Sequence, residues 1–335
     1  MRSSRREFYT RAWLNAAEAL GARCIASPGG ITEIKRGSRE IRVSASTTSL
    51  DSAATIERAS DKAAVRSLLA RTGIPVPRHI EITLGEFREA LSMLSSSPVP
   101  LVVKPAANTG SGAGVSTSVT TPHQLRIAVA WARAFGPRVL VEEQLDGDCY
   151  RVLMMDGEVL DIVLRHPPTI VADGTSTIRQ MLSRENALRL EAGTARAQVL
   201  IRNDPDLRNT LAAQGLNLRS RPTLGRMVIV KRVINDNGGR DNSSAVGLLC
   251  PAILASAREA ADVLHARLVG VDIICHDPTV PLERSGGAIL EVNTTPGFYY
   301  HYHKADVSFA VADHVLHKFF DAAAGDASSP NSGSS

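Results

Sequence analysis

Glu291 and Asn293 sit in an otherwise apolar run, Ala288-Ile-Leu-Glu-Val-Asn293, that ends in Thr-Thr-Pro-Gly. Strand side chains repeat every second residue, so the two share a face and offer a carboxylate and an amide oxygen side by side. Such hard donors suit Mg²⁺, which prefers oxygen and keeps several of its waters. A second apolar run, Leu268-Val-Gly-Val-Asp272-Ile-Ile-Cys275, carries a lone Asp in the same setting. One acid in an apolar run is more often a strand-edge or paired core residue than a ligand. Pairing the two runs as a hairpin would gather Asp272, Glu291 and Asn293, and burying two carboxylates together is unfavourable unless a cation joins them. The trio is the candidate metal site.

Other stretches suggest anion chemistry. Val99-Pro-Leu-Val-Val-Lys104-Pro105 reads as a buried strand ending in a lysine, followed by a small-residue loop containing Gly110, Ser111, Gly112 and Gly114. Backbone N–H groups of such a loop can wrap phosphate oxygens while the ammonium contacts a phosphate as a point charge. It is not a Walker loop, because no Gly-Lys-Ser/Thr closes it, and it lacks Rossmann spacing. Glu142 and Glu143 end the apolar run from Arg138, either as a solvated edge or as the hydrogen-bonding end of a nucleotide pocket. Lys231 and Arg232 end another apolar run from Arg226. They lead into the polar loop 235–244, with Asn237 and Gly238, which could cover an anion.

The elements that must position these residues follow from periodicity and stop signals. An amphipathic helix is expected over residues 5–20, with Phe8, Trp13 and Leu14 on one face, then short strands near 22–26, 31–35 and 40–44, making a small α/β lobe. A helix follows Ser60 as N-cap and stops at Gly73. Helices capped by Thr83 and by Thr121, with Pro122 at the first position, flank the lysine strand. Asp156-Gly157 marks a hairpin between residues 148–155 and 158–165. Further helices are expected after a Ser176 cap and over 186–200, 205–213, 251–266 and 304–321, with strand over 226–233. The division implied is an N-terminal α/β lobe with linker helices over 1–97, a central lobe over 98–147, a C-terminal lobe with the metal site over 148–321, and a disordered tail over 322–335.

At 335 residues, 44% hydrophobic and 21% charged, the composition is that of a globular protein with a proper core. A net charge of +4, a pI near 9.0 and only 4% aromatic residues argue against a nucleic-acid partner and fit an anionic small substrate. Cys24, Cys149, Cys250 and Cys275 are scattered with no CxxC pair, so neither zinc nor a disulfide framework is expected, and a cytoplasmic location is. No run is long and apolar enough for a membrane span, and no signal peptide is expected.

In order and spacing, Ser60-Asp-Lys62 through Pro75-Val-Pro77, Val103-Lys104-Pro105, Asp148-Cys-Tyr-Arg151, Ala172-Asp-Gly-Thr-Ser-Thr-Ile178-Arg179, Gly238-Gly239 with Asp241, and Glu291-Val-Asn293 to His301 resemble the ATP-grasp ligases. The likeness is greatest to the ATP-grasp region of cyanophycin synthetase and extends to the glutathione synthetase and D-alanine–D-alanine ligase branch. It implies an α+β fold in which two α+β lobes clasp ATP. Lys62 and Lys104 would contact phosphates, the Gly110–Gly114 loop would close over the β/γ end, and Glu142, Glu143 and the backbone near Leu145 would border adenine. Asp272, Glu291 and Asn293 would hold two Mg²⁺ ions, with Mn²⁺ as a replacement. The family places an acid for the ribose where Cys149 stands, leaving Asp148 as its substitute or the contact absent. Arg151 and Arg165 match positions near substrate, and dimers are common in the family, which makes a homodimer one option and leaves the oligomeric state open. No muramyl-ligase-like second half follows, so repeated polymer extension is not expected.

The implied reaction is amide formation. A carboxylate is a poor electrophile until the ATP γ-phosphoryl group converts it to an acyl phosphate, which an amine then attacks. Lys231, Arg232 and Arg165 are the expected partners of the carboxylate or acyl phosphate, and His301, Arg151, Asn237 and Gly238 border the substrate. The alternatives are a phosphotransferase on the same nucleotide site and a non-catalytic nucleotide-binding module.

Overall fold

A computed structural model describes residues 2–110, 112–191, 200–234 and 241–321. The tail expected over 322–335 lies outside the described residues.

The chain opens with helix α1 (Arg2–Ala19) on an antiparallel sheet of β1 (Arg23–Ser27), β2 (Ile31–Arg36), β3 (Arg39–Ser44) and β4 (Thr47–Thr48). Trp13 is buried as its position predicts, but Leu14 is exposed. Ile34, Ile41 and Val43 face Trp13 in a core completed by Leu316 and Phe320 of the last helix, α9 (Val311–Asp321). That helix starts later than the 304 expected, after the one-turn helix Tyr299–Tyr302.

Helices α2 (Ala53–Ser60) and α3 (Lys62–Arg71) follow. The cap of α3 is Asp61, whose side chain accepts from the Ala64 N–H, and not Ser60. The expected stop at Gly73 is seen at a left-handed φ of 84°.

A four-stranded sheet, in the order β5-β8-β6-β7, combines β5 (His79–Ile82), β6 (Leu101–Pro105), β7 (Ser116–Val119) and β8 (Val139–Glu143). Helices α4 (Phe87–Ser96) and α5 (Pro122–Arg133) cover it, the latter entered through a Thr121–Gln124 capping box. Leu101 and Val103 enter that core, so alternation turns Val102 and Lys104 to the opposite face.

The second large sheet takes the order β13-β10-β9-β14-β15, from β9 (Asp148–Met155), β10 (Glu158–Arg165), β13 (Asn242–Ser244), β14 (Leu268–Cys275) and β15 (Ala288–Asn293). Asp156 and Gly157 both take positive φ, as the two-residue hairpin between β9 and β10 requires. One face of this sheet, with Tyr150, Val152, Met154, Val271 and Ile273, packs on α3 and α8 (Pro251–Val263). The other face changes character along its length. Leu153 and Met155 pack against the N-terminal unit, while Cys149, Arg151, Arg165, Asp272 and Glu291 border a cavity.

Between these parts, β11 (Thr169–Val171) pairs with β12 (Met227–Ile229), alongside α6 (Ile178–Glu191) and α7 (Pro205–Ala213). Thr177, not Ser176, caps α6, with its Oγ1 accepting from the Gln180 N–H. Helix α7 reaches across to β7, where Asp206 accepts from the Thr117 N–H at 3.2 Å. Residues 1–97, expected as an N-terminal lobe with linker helices, contribute to three cores: α1 to β4 with α9, α2 and α3 with the five-stranded sheet, and β5 and α4 with the four-stranded sheet.

Candidate active site

The two large sheets and α3 enclose a cavity of about 580 Å³. Its wall on the five-stranded sheet is set by register. Asp272 pairs with Arg151 on one side and Glu291 on the other, so three charged side chains stand in one row across β9, β14 and β15. Asn293 is two residues beyond Glu291 on the same face and opposite Gly270. The hairpin expected from the two apolar runs is therefore present, and Asp272, Glu291 and Asn293 all line the cavity. Arg165, across from Cys149 on β10, stands 3.6 Å from Asp272.

The acids of this row are already engaged. Arg151 donates two hydrogen bonds to Asp272, from Nε and from Nη2, the latter at 2.6 Å. Burial opposes charge on Asp272, but Arg151 and Arg165 outweigh it and hold its carboxyl below the ordinary range. Glu291 lies 3.3 Å from the Lys62 ammonium. Among the described residues no group of three His, Cys, Asp or Glu side chains is arranged to hold a metal ion by itself. The donor set of two carboxylates and one amide still fits Mg²⁺, which takes few protein ligands and fills the rest of its octahedron with water and phosphate oxygens.

The opposing wall comes from the four-stranded sheet. Lys104 Nζ donates to Glu142 Oε1 at 2.6 Å, and Arg66 Nη2 donates to Glu142 Oε2 at 3.0 Å. All three groups are buried, so desolvation works against each charge. For Glu142 the two cations win and lower its pKa, while for Lys104 burial wins and lowers it too. Glu142 thus lines the cavity as the centre of an ion cluster, not as a solvated edge. Glu143 lines the cavity as well, paired with Arg78 at 2.9 Å. Lys62 joins the walls, donating to the Thr109 carbonyl at 2.8 Å beside its contact with Glu291.

Gly110, Gly112, Leu145, Asp148, Arg151, Arg165, Arg232 and His301 also line the cavity. Arg232 pairs with Asp146 at 2.9 Å. Gly114 does not line it. Its φ of 77° and the approach of Pro105 and Phe135 make it a packing glycine. Ser111, Asn237 and Gly238 lie outside the described residues. Cys149 is buried, and burial, with Asp272 adding, pushes its thiol up to about 12, leaving a neutral group there.

Lys231 is not brought to this cavity. Strand β12 ends at Ile229 instead of running on to residue 233, so alternation does not carry to Lys231, and its ammonium turns to Asp204 Oδ2 at 2.7 Å.

Periodicity overlooked several residues. Arg66 stands four residues after Lys62 on α3, and that i, i+4 basic pair was its only signal. Asp161 meets both His301 and Lys304, and Arg5, Tyr9, Tyr299 and Tyr300 line the end formed by the N-terminal helix. Arg5 donates to Tyr300 Oη at 3.1 Å and lies over the rings of Tyr299 and Tyr300, a contact no local pattern announces.

Comparison with known proteins bears on this geometry. Residues 68–174 match the family described as D-ala D-ala ligase C-terminus. A crystal structure of a bifunctional glutathione synthetase from Pasteurella multocida superposes with a TM-score of 0.59 at 22% identity, covering 94% of this chain and 43% of that one. The chain has the ATP-grasp fold. Over 249 residues the ATP-grasp chain is 28% identical to cyanophycin synthetase of Trichormus variabilis, covering 73% of this chain and 27% of that protein. Over 261 residues it is 28% identical to a bifunctional glutathione biosynthesis protein of Listeria innocua, covering 77% and 33%. It therefore spans about a quarter to a third of the length of these relatives. No helix among the described residues is long and apolar enough to cross a membrane.

Proposed function

We propose that this chain is an ATP-dependent carboxylate–amine ligase acting on amino-acid or small-peptide substrates: ATP + carboxylate + amine → amide + ADP + phosphate. The observation that carries the reading is the opposition, in one cavity, of a cationic wall with a glycine loop (Lys62, Lys104, Gly110, Gly112) to a row of oxygen donors (Asp272, Glu291, Asn293), with Lys62 touching both. A triphosphate needs cations and backbone N–H groups along its oxygens, and the donor row suits the divalent ions that accompany it.

In this reading Lys62 and Lys104 bind phosphate oxygens, and Leu145 with Glu142 and Glu143 borders the base. Glu291, Asn293 and Asp272 hold two Mg²⁺ ions, with Mn²⁺ as a replacement. The ions, when bound, neutralise charge on the transferring phosphoryl group. Arg165 and Arg232 face the carboxylate and its acyl phosphate, and Arg151 holds Asp272 in place. Lys231 receives no role with substrate. No side-chain nucleophile is required, which agrees with a Cys149 thiol kept protonated by burial.

The test is product analysis. ³¹P spectroscopy with a panel of amino acids, singly and in pairs, should show ADP and phosphate, and hydroxylamine should trap the acyl phosphate as a hydroxamate. AMP with pyrophosphate would overturn the reading, and a stable phosphoester in place of the hydroxamate would make the protein a phosphotransferase.

A further inference from the structure

His301 lines the cavity from the one-turn helix Tyr299–Tyr302, and its side chain is 1% exposed. Its Nδ1 lies 2.7 Å from Asp161 Oδ2. Lys304 Nζ lies 2.9 Å from both oxygens of the same carboxylate. Asp161 reaches them because a bulge between Val159 and Asp161 resets the register of β10 against β9. The result is a buried carboxylate holding one imidazole nitrogen while an ammonium neutralises it.

That arrangement fixes the state of the ring. Burial lowers the His301 pKa below the usual histidine value, Asp161 opposes, and Arg151 and Lys304 add to the lowering, which favours the neutral ring. Burial opposes charge on Asp161 as well, but the hydrogen bonds from His301 and Lys304 and the charge of Lys304 hold its carboxyl below the ordinary range, so the carboxylate is the acceptor. The single ring proton therefore sits on Nδ1, and the lone pair sits on Nε2. No described residue hydrogen-bonds Nε2, although the ring belongs to a side chain that borders the cavity.

We propose that His301 is the general base of the second half-reaction, with Asp161 and Lys304 as positioning residues. This rests on the amide-ligase reading above. The attacking amine forms a C–N bond to the acyl carbon as the C–O bond to phosphate breaks. Phosphate leaves with the electron pair, and the proton shed by nitrogen passes to His301 Nε2 and then to solvent. Formation of the acyl phosphate needs no such base, so the two half-reactions should respond differently to loss of the imidazole.

The experiment uses the full chain with ATP, Mg²⁺ and a mixture of the proteinogenic amino acids, with and without hydroxylamine, following amides and hydroxamates by mass spectrometry. Hydroxylamine is unprotonated at neutral pH and requires little base assistance. His301→Gln should lose amide formation by about 10²–10⁴-fold, the range for general-base catalysis, and lose hydroxamate formation far less. Imidazole added to His301→Ala should restore amide formation, which a misfolded variant would not do. Asp161→Asn should move the acid limb of the amide-forming pH profile downward, because the carboxylate supports the basicity of the ring. Equal loss of amide and hydroxamate in His301→Gln, or amide formation at the unsubstituted rate, would overturn the proposal. Absence of both products from the unsubstituted protein would instead remove the ligase reading, and this proposal with it.

Discussion

Lys104 and Lys231 look alike in the sequence and end in opposite surroundings. Each closes an apolar run and is buried against a carboxylate, at 2.6 Å for Glu142 and 2.7 Å for Asp204. At Lys104 a second cation, Arg66, shares Glu142, and although Glu291 also acts on the lysine it is itself paired with Lys62, so three cations stand with two carboxylates beside the cavity. At Lys231 the balance is reversed, since Asp206 adds its own field to that of Asp204. The first arrangement attracts an anion, whereas the second ties α7 and its preceding turn to the strand beside it. What separates a binding lysine from a structural one is the count of charges around its partner.

The comparison breaks if the two lysines respond alike to removal. Lys104→Met should lower kcat/KM for ATP by about 10²–10³-fold, the scale for losing one charge-stabilising donor, as read by ADP release. Lys231→Met should leave the KM for ATP unchanged per folded molecule. Its effect should appear in urea unfolding, as a loss of about 3–5 kcal/mol, because removing one partner strands a buried carboxylate.

The Asp206 carboxyl sharpens the contrast through pH. Burial raises its pKa to about 6, against the pull of Lys231 and Thr117. A proton held more tightly in the folded state makes its contribution complete below about pH 4 and lost as pH rises through about 6, a span worth about 3 kcal/mol at ~1.4 kcal/mol per unit. Asp206→Asn should flatten the stability profile between those limits in unfolding curves taken at each pH. The smallest effect belongs to the exposed Arg232–Asp146 pair, where Arg232→Ala should change unfolding free energy by less than about 1 kcal/mol. A larger change there would mean that solvent screening is not what distinguishes the surface pair from the buried ones.

Strand periodicity was enough to place Glu291 and Asn293 on one face, because the alternation is regular beyond the irregularity at Leu290, and Asp272 joins them by pairing directly with Glu291. Lys104 was legible for the same reason. The same logic misled at Lys231, where the strand stops two residues short of it. Helix caps were legible to within a residue, as Asp61 in place of Ser60 and Thr177 in place of Ser176 show, since neighbouring polar residues compete for the same backbone N–H groups. The Asp161–His301–Lys304 cluster was beyond reach, because it depends on a bulge that a regular alternation does not foresee and joins residues 140 apart. Arg66 and Arg5 were missed for a related reason: their partners come from distant elements.

At Gly147, between β8 and β9, φ is 126° and a side-chain carbon would fall 2.5 Å from the main chain of Cys275. Neither neighbour can step aside, since both belong to the peptide backbone where the five-stranded sheet begins its own turn. In a saturation library this codon should tolerate no substitution at all. Gly157, equally left-handed but opening onto empty space, should accept asparagine.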